Sequence, residues 1–268
     1  MSRWSAERLR IGLAPDRVEV ARLGARLSRA APRAQTVPCA GTSTGTDGQP
    51  PWQAALDALP AALAGLATRG DAVAVVLSNH FVRYQLLPWQ EELSAPAEVE
   101  AWARLRLEQT YGAAAAQWTI RTCDDGYGRP QLACAVDGAL IDQLGQCLAG
   151  LGLRLASLQP LLMAAYNDER RQLKGQTAFA IVEAGRLCLG LLGPGGWREI
   201  ASRRAGADAA ATLEQELATL DAQAEPAQLG VLLVGDDAPW PQAGVPGARL
   251  LGAHGAQGRR TLAMCGAG

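Results

Sequence analysis

Two widely separated stretches of the sequence share one pattern, in which a short apolar strand is followed by a tight turn and a second strand. The first turn contains Pro15 and Asp16, which are typical of turns because Pro presets φ and Asp bonds to nearby backbone. The second turn contains Gly185. The strands lie at residues 10–13 and 18–23 in the first stretch, and at 178–182, 186–192 and 197–203 in the second. The repetition predicts two related halves that each open on a hairpin.

Composition and charge are those of an ordinary globular protein. The 268 residues are 49% apolar and 19% charged, with a net charge of -1, so the chain can form one large domain or two medium ones. Proteins that bind nucleic acid usually carry a basic surplus, so we expect no nucleic-acid partner. The sequence shows no secretory signal and no apolar run of about 18 residues that would span a bilayer. These features predict a cytoplasmic protein.

The cysteine pattern indicates neither a metal site nor a disulfide framework. The six cysteines are scattered without CxxC or CxxH spacing, and His80 and His254 stand alone, whereas a zinc site needs clustered ligands. A chain of this length does not need disulfides for stability. We therefore expect free thiols in a reducing cytosol and no metal.

Residues 86–158 predict a compact βαββαβ unit, which is the split βαβ pattern of a ferredoxin-like subdomain. Its first helix, at about 97–111, places Val99, Trp102 and Leu105 near one face. Its second helix has apolar residues at amphipathic spacing and ends at glycines, as helices often do.

The segments on either side have simpler patterns. Before the unit we expect a surface loop at 40–51, a helix from Trp52 that Pro60 kinks or divides, and a buried strand at 72–77. In the second half, besides the hairpin, we expect a helix at 208–222 and a strand at 230–235. The pattern assigns no element after about residue 236.

Polar groupings give little indication of catalysis. Asp124 and Asp125 are typical of a solvent-facing turn, with a carboxylate pair as the alternative. His80 follows a strand and is best explained as a loop residue, because Ser-His-Asp chemistry needs a positioned partner. Residues 234–237 follow a strand, where ligands often bind, and we interpret them as the remnant of such a site.

Tryptophan is unusually frequent, with seven residues against two phenylalanines. Trp89 ends an extended strand, and Trp102 lies on the helix that follows. A buried aromatic core is the default interpretation. A groove for a partner peptide is the alternative, because aromatic residues anchor interfaces.

Four segments follow one another in a fixed order: the opening hairpin at Ile11-Gly12-Leu13, the strands from Val75 to Pro88, residues 132–136 with a helix ending at Gly152-Leu153, and the second hairpin from Phe179. In this order they resemble the PilM group of pilus-assembly proteins and the related cytoplasmic domain of the secretion protein GspL. In that family a strand ending in Leu-Pro precedes a Glu-rich helix. The match covers roughly residues 9 to 235.

The resemblance implies an α/β, actin-like (ribonuclease H-like) fold of two lobes with a ferredoxin-like inserted subdomain. The first lobe is then 1–175 with the insertion at about 86–158, and the second lobe is 176–268. The implied role is that of a cytoplasmic scaffold in a type IV pilus or type II secretion assembly platform, held peripherally at the inner membrane by a partner. The resemblance also implies a ring or platform component, and it leaves open whether the chain forms a homo-oligomer.

The resemblance also implies two partners. PilM-like proteins bind ATP and hold the N-terminal tail of a single-span membrane protein, whereas GspL-like proteins have lost the nucleotide and contact the secretion ATPase. In the family the tail lies beside the inserted subdomain. The partner-binding residues implied for this chain are Leu87, Trp89, Trp102 and Arg106.

Neither hairpin turn has the features with which actin-like folds hold phosphates, an Asp-x-Gly type turn with exposed N–H groups. The first turn has no glycine, and Pro15 has no N–H to donate. The second turn, at residues 183–185, is short and has no Ser or Thr. We therefore expect no nucleotide cofactor and no catalysis. An ATP-binding PilM-like protein is the alternative. A sugar or acetate kinase is a third hypothesis, but the sequence lacks the metal-binding carboxylates and phosphate loops that phosphoryl transfer needs.

Overall fold

A computed structural model describes residues 9–23, 33–42, 49–93, 95–123, 126–206, 208–219, 226–241, 244–252 and 259–266. The strands are β1 (Leu9–Ala14), β2 (Arg17–Arg22), β3 (Arg33–Pro38), β4 (Ala72–Leu77), β5 (Val82–Leu87), β6 (Trp118–Cys123), β7 (Gln131–Asp137), β8 (Arg154–Pro160), β9 (Thr177–Glu183), β10 (Arg186–Gly193), β11 (Gly196–Arg204), β12 (Gln228–Val234), β13 (Ala248–Leu250) and β14 (Arg259–Arg260). The α-helices are α1 (Gln53–Leu63), α2 (Pro96–Tyr111), α3 (Gly138–Gly150), α4 (Leu161–Glu169) and α5 (Ala209–Ala218).

The first sheet has the strand order β3-β2-β1-β4-β8. β1 and β2 form the predicted hairpin, with Ala14 opposite Arg17, and β4 and β8 add in parallel. Every residue of β1 is buried, as expected for a central strand that is covered on both faces. The sequence pattern does not predict β3, because most of its residues are exposed and no apolar run marks it.

The second sheet has the order β11-β10-β9-β12-β13, and β14 also pairs with β12. Its first three strands form an antiparallel meander, to which β12 and β13 add in parallel. The two sheets therefore have the same arrangement, in which the first strand of a meander lies in the middle and two parallel strands follow. This confirms the two related halves that the hairpins predict.

A third sheet, with the order β5-β7-β6, is antiparallel and packs against α2. The prediction over 86–158 included a fourth strand in this sheet, and that part was wrong. The fourth strand is β8, which pairs in parallel with β4 of the first sheet. A local pattern identifies a strand but cannot tell which sheet it joins, because pairing is decided by contacts that are distant in sequence. We refer to residues 82–137 as the βαββ subdomain.

The chain divides into two compact units. The first contains the first sheet and is built from the described parts of residues 1–81, 139–168 and 261–268. The second contains the second sheet and the βαββ subdomain, in the described parts of residues 82–138 and 169–260. The resemblance places the boundary between the lobes at 175, and no sequence pattern marks the return of the chain to the first unit at Thr261.

Residues 261–266, which we call the closing segment, pack onto the first sheet. The Arg10 guanidinium is 6% exposed and donates to the carbonyl oxygens of Ala263, at 3.1 Å, and Cys265, at 2.8 Å. The buried carboxylate of Glu19 accepts a 3.0 Å hydrogen bond from the Ala263 N–H. Gly12 has no side chain because the segment lies against it, and an added Cβ would come within 2.7 Å of the Ala263 nitrogen.

The predicted helices are present with small differences. α1 continues through Pro60, and α5 begins where the Asp208 carboxylate accepts a 2.9 Å hydrogen bond from the Ala211 N–H, which is a standard N-cap. Residues 220–222, the predicted end of this helix, lie outside the described residues. Along the described ranges, no helix is long and apolar enough to cross a membrane.

Candidate partner-binding site

The end of β5 and the start of α2 bring together the aromatic residues that the sequence singles out. β5 ends at Leu87, and a short connection that includes Trp89 leads to the helix. At the start of the helix, the Glu98 carboxylate accepts a 3.0 Å hydrogen bond from the Ala95 N–H, which satisfies this N–H group. The negative charge of Glu98 also interacts favourably with the positive end of the helix dipole. Trp102 then lies on the second turn of α2.

A small pocket of about 10 Å³ lies between this connection and the helix. Its lining residues are Pro88, Trp89, Gln90, Leu93, Val99, Trp102 and Gln131. Trp89 and Trp102 are both partly buried, so each presents part of its ring to solvent at the same place. The structure therefore brings these two predicted residues together.

Leu87 lies beneath this pocket and not on its surface. Its side chain is 0% exposed and packs in the subdomain core with Val99, Ala103 and Leu107 of α2. A partner could not touch Leu87 without opening that core. Its contribution to a binding site is to support Trp102, which packs on the same core.

α2 buries a different stripe from the one predicted. Val99, Ala103 and Leu107 face the core, whereas Leu105 is 52% exposed. The i, i+4 spacing of the buried residues is regular, but Ala103 is too small to mark the face by hydrophobicity alone. Leu105 is consequently an apolar side chain on the solvent side of the helix.

The partly exposed rings of Trp89 and Trp102 have an aromatic neighbour, Tyr127, that the sequence pattern does not mark. Tyr127, on the β6–β7 connection, is 82% exposed and packs edge-on against Trp89 with ring centroids 4.7 Å apart. Its hydroxyl lies 3.5 Å from a carboxylate oxygen of Glu91. The sequence around Tyr127 does not indicate its contact with Trp89. The two residues lie on different loops, which come together only because their strands pair in the same sheet.

Two arginines on α2 have different roles. Arg104 donates to the carbonyl oxygens of Ala115, Ala116 and Trp118 at 3.2–3.4 Å and thereby ties the helix to the start of β6. Arg106 is exposed, and its guanidinium has no partner within the described residues. It lies one turn after Trp102, at i+4, so the two side chains neighbour one another on the helix surface.

Several polar positions noted in the sequence have structural roles or lie outside the description. His80 is buried, and its backbone N–H donates to the Ser78 hydroxyl at 3.2 Å. The loop after β12 is closed by Arg259, which donates to the carbonyl oxygens of Gly235 and Ala238. Asp124, Asp125 and His254 lie outside the described residues. In the described part of the chain, no group of three or more His, Cys, Asp or Glu side chains could hold a metal ion.

No family model matches the sequence, and no curated protein matches it. A chain of the PilM–PilN type IV pilus biogenesis complex matches with a TM-score of 0.61 and 15% identity, over 85% of this chain and 81% of that one. The cytoplasmic domain of EpsL, an inner membrane component of the type II secretion system of Vibrio cholerae, gives 0.56 and 12%, over 94% and 87%. A Bacteroides thetaiotaomicron protein with an actin-like ATPase fold and unknown function gives 0.54 and 12%, over 88% and 85%. This chain has the actin-like fold.

The actin-like fold accounts for the two similar sheets and confirms the fold class expected from the resemblance. The two hairpin turns of this fold are each contacted by other parts of the chain. In the first, the Asp16 carbonyl accepts a 2.6 Å hydrogen bond from the Cys39 N–H, and the Asp16 carboxylate pairs with Arg17 at 3.1 Å. Gly41 lies so close that an added Cβ would be 2.0 Å from the Pro15 carbonyl oxygen. The chain itself covers this turn.

The second actin-like hairpin turn is tight and also has a neighbour from its own chain. Gly185 has φ 75°, a left-handed conformation that glycine adopts without strain. Its carbonyl accepts a 3.2 Å hydrogen bond from the Ala205 N–H. Glu183, the last residue of β9, is 2% exposed.

Proposed function

We propose that this chain is a non-catalytic scaffold of a type IV pilus or type II secretion assembly platform. Its fold likeness to a chain of the PilM–PilN complex and to the cytoplasmic domain of EpsL supports this class of role. In this proposal it works in the cytoplasm, is held at the inner membrane by the N-terminal tail of a single-span partner, and meets the assembly ATPase.

The observation that carries the proposal is where the exposed apolar side chains lie. Among the described residues, five large apolar side chains are exposed, and three of them, Leu105, Tyr111 and Tyr127, belong to the βαββ subdomain. Trp89 and Trp102 add partly exposed rings to the same subdomain. Concentrated apolar exposure of this kind marks interaction surfaces.

The chemistry of this surface suits a short peptide. Trp89 and Trp102 offer flat apolar anchors around the pocket, and aromatic anchors of this kind often dominate binding energy. Arg106 adds a guanidinium, which binds both peptide carbonyls and carboxylates. An extended tail could therefore be anchored by the rings and oriented by the charge.

The covered first turn supports the non-catalytic part of the proposal. Phosphoryl transfer in actin-like enzymes needs backbone N–H groups and carboxylates that are free to meet phosphates and a metal. In this chain, Cys39 and Gly41 contact the backbone of the first turn, and the Asp16 carboxylate is paired with Arg17.

The test is a calorimetric titration of the N-terminal tail peptide of the membrane partner into the wild type and four variants. Leu105→Asp, Arg106→Ala and Trp89→Ala should each weaken binding at least tenfold, because truncation of an interface hot spot costs about 2 kcal/mol or more. Leu151→Asp is the matched control, since Leu151 is 38% exposed and belongs to the first unit.

Near-ultraviolet circular dichroism of each variant separates lost binding from lost structure. Leu105 and Arg106 are exposed, so their variants should keep the wild-type spectrum. Wild-type affinity in both of these variants, or the absence of any binding by the wild type, would refute the proposed surface.

A further inference from the structure

A row of charged side chains crosses the second sheet beside its hairpin turn. In the strand register, Arg186 on β10 lies opposite Glu183 on β9 and opposite Arg204 on β11. Residues directly opposite one another in antiparallel strands point to the same face, with Cβ atoms about 5 Å apart. One carboxylate and two guanidiniums therefore share one face at the end of the sheet.

A third guanidinium adds to this row from the βαββ subdomain. β5 contacts β11 within the second unit. Burial lowers the pKa of Arg186, the positive charge of Arg83 on β5 lowers it further, and the carboxylate of Glu183 acts in the opposite direction. Three positive charges and one negative charge leave the cluster with two positive charges.

Two hydrogen-bond donors on this face are buried and lack an acceptor. Within the described residues, neither Nε of Arg186 nor the hydroxyl of Ser202 has a hydrogen-bond partner. Ser202 lies opposite Cys188, two residues along β10 from Arg186, so it belongs to the same face. Buried donors are almost always paired in folded proteins, so two neighbouring exceptions indicate an acceptor supplied from outside.

We propose that this row, Arg186 with Arg204, Ser202 and Arg83, is a binding site for a dianionic phosphate group. Guanidinium groups match phosphate oxygens in geometry, and a charge of −2 offsets the surplus of the cluster. The Arg186 Nε and the Ser202 hydroxyl donate to phosphate oxygens, and Glu183 keeps the guanidinium of Arg186 in position.

The neighbouring arginine provides a contrast. Arg203 lies opposite Leu187, which belongs to the hydrophobic core on the other face of the sheet. Its guanidinium pairs with Glu216 at 2.9 Å. The Arg203-Arg204 pair in the sequence therefore divides between a surface ion pair and the proposed site.

The experiment is a titration of inorganic phosphate against chloride at constant ionic strength, followed by thermal unfolding and calorimetry. Phosphate should raise the melting temperature of the wild type saturably. Arg186→Gln should bind phosphate at least tenfold more weakly. Arg198→Gln is the matched control, because Arg198 is exposed on β11, the strand that carries Arg204, and its replacement removes the same charge.

Arg204→Gln keeps the test decisive if Arg186→Gln does not fold. Like charges that lie directly opposite destabilise a sheet, so Arg204→Gln should melt at or above the wild-type temperature without phosphate and should lose the response to phosphate. The absence of a phosphate response in the wild type, or an equal loss in Arg198→Gln, would overturn the site.

Two further ligands identify the source of the phosphate group. Tripolyphosphate and ATP should produce equal shifts, which means that the phosphate and not the nucleoside is recognised. A response to succinate as large as the response to phosphate would overturn the assignment to phosphate. A response to ATP alone would overturn it as well, because binding would then depend on the nucleoside.

Discussion

The two sheets have the same strand order, but their buried charged side chains have different hydrogen-bond partners. In the first sheet, the buried groups Arg10 and Glu19 are satisfied by the backbone of the closing segment. In the second sheet, Arg186 and Arg204 lie side by side, and the described residues supply no acceptor for the buried Nε of Arg186. A duplicated half-fold therefore does not imply a duplicated site.

The physical difference is where the acceptors come from. Backbone carbonyls of residues 263 and 265 neutralise nothing, but they give the Arg10 guanidinium fixed acceptors inside the protein, so the charge is used to hold the chain together. A cluster of three guanidiniums around one carboxylate still favours an added anion. Substitutions should therefore destabilise the first sheet and change ligand response in the second.

The largest expected effect follows from Arg10→Ala. It removes two hydrogen bonds from a buried charged donor, each worth about 1.5–3 kcal/mol, so we expect the free energy of unfolding of the first unit to fall by about 3 kcal/mol. Urea unfolding followed by tryptophan fluorescence measures this change. Arg198→Ala, at an exposed position, should change stability by no more than about 0.5 kcal/mol. A loss below about 1 kcal/mol for Arg10→Ala would show that the closing segment is not held by this residue.

Gly12→Ala tests the packing of the closing segment on β1 by adding a side chain where the two are in contact. The added Cβ would lie 2.7 Å from the Ala263 nitrogen and 2.8 Å from Leu262, so the closing segment must shift, at a cost of about 2 kcal/mol. Gly195→Ala is the matched control, since no atom lies within 4 Å of its added Cβ. Equal melting temperatures for the two variants would contradict the packing described for Gly12.

Alkaline pH should affect the second sheet more than the first. Burial, and then the Glu183 carboxylate, raise the pKa of Cys188, while burial and then Asp16 raise the pKa of Cys39 to about 11. A thiol whose pKa is higher in the folded state contributes stability that is complete below its ordinary pKa and is lost as the pH rises through the folded value.

The stability of the wild type should therefore fall above about pH 9, by at most about 1.4 kcal/mol per pH unit for each thiol. Cys188→Ala should make this decline less steep, and Cys39→Ala should do so to a smaller extent and only up to about pH 11. Urea unfolding from pH 8 to pH 11 gives the slopes. Parallel slopes for the wild type and Cys188→Ala would count against the burial effect.

The smallest expected effect is that of the nucleoside of ATP. A ligand present at a hundredfold excess over its Kd stabilises the folded state by about 2.7 kcal/mol. Because the first turn is covered and Pro15 has no N–H to donate, millimolar Mg-ATP should shift the melting temperature no more than tripolyphosphate does. A saturable shift with ATP beyond that of tripolyphosphate would favour a nucleotide-binding protein.

Much of the fold could be predicted from local patterns. Both hairpins, α2 and the helix at 208–222 follow from apolar periodicity and turn residues, which act over a few positions. The assignment of β8 to the first sheet and the docking of the closing segment could not be predicted. Both depend on contacts between residues far apart in sequence, as in the pairing of Val75 with Leu158.

The candidate site was predictable to a smaller degree. Trp89 and Trp102 stand out because few other aromatic residues compete with them, and the structure brings them together at one pocket. The sequence does not distinguish Arg104 from Arg106, because the acceptors of Arg104 are carbonyl groups and any residue provides a carbonyl. The sequence pattern does not predict the exposure of Leu105, because the small residue Ala103 takes the core position.

The closing segment also constrains the order of events during synthesis. The backbone that covers Gly12 and binds Arg10 is made some 250 residues after β1. Until then Arg10 and Glu19 lack these partners, so the first sheet cannot reach its final stability before the closing segment has been made. Because contacts so distant in sequence form slowly, we infer that the closing segment docks last, after residues 169–260 of the second unit have been made.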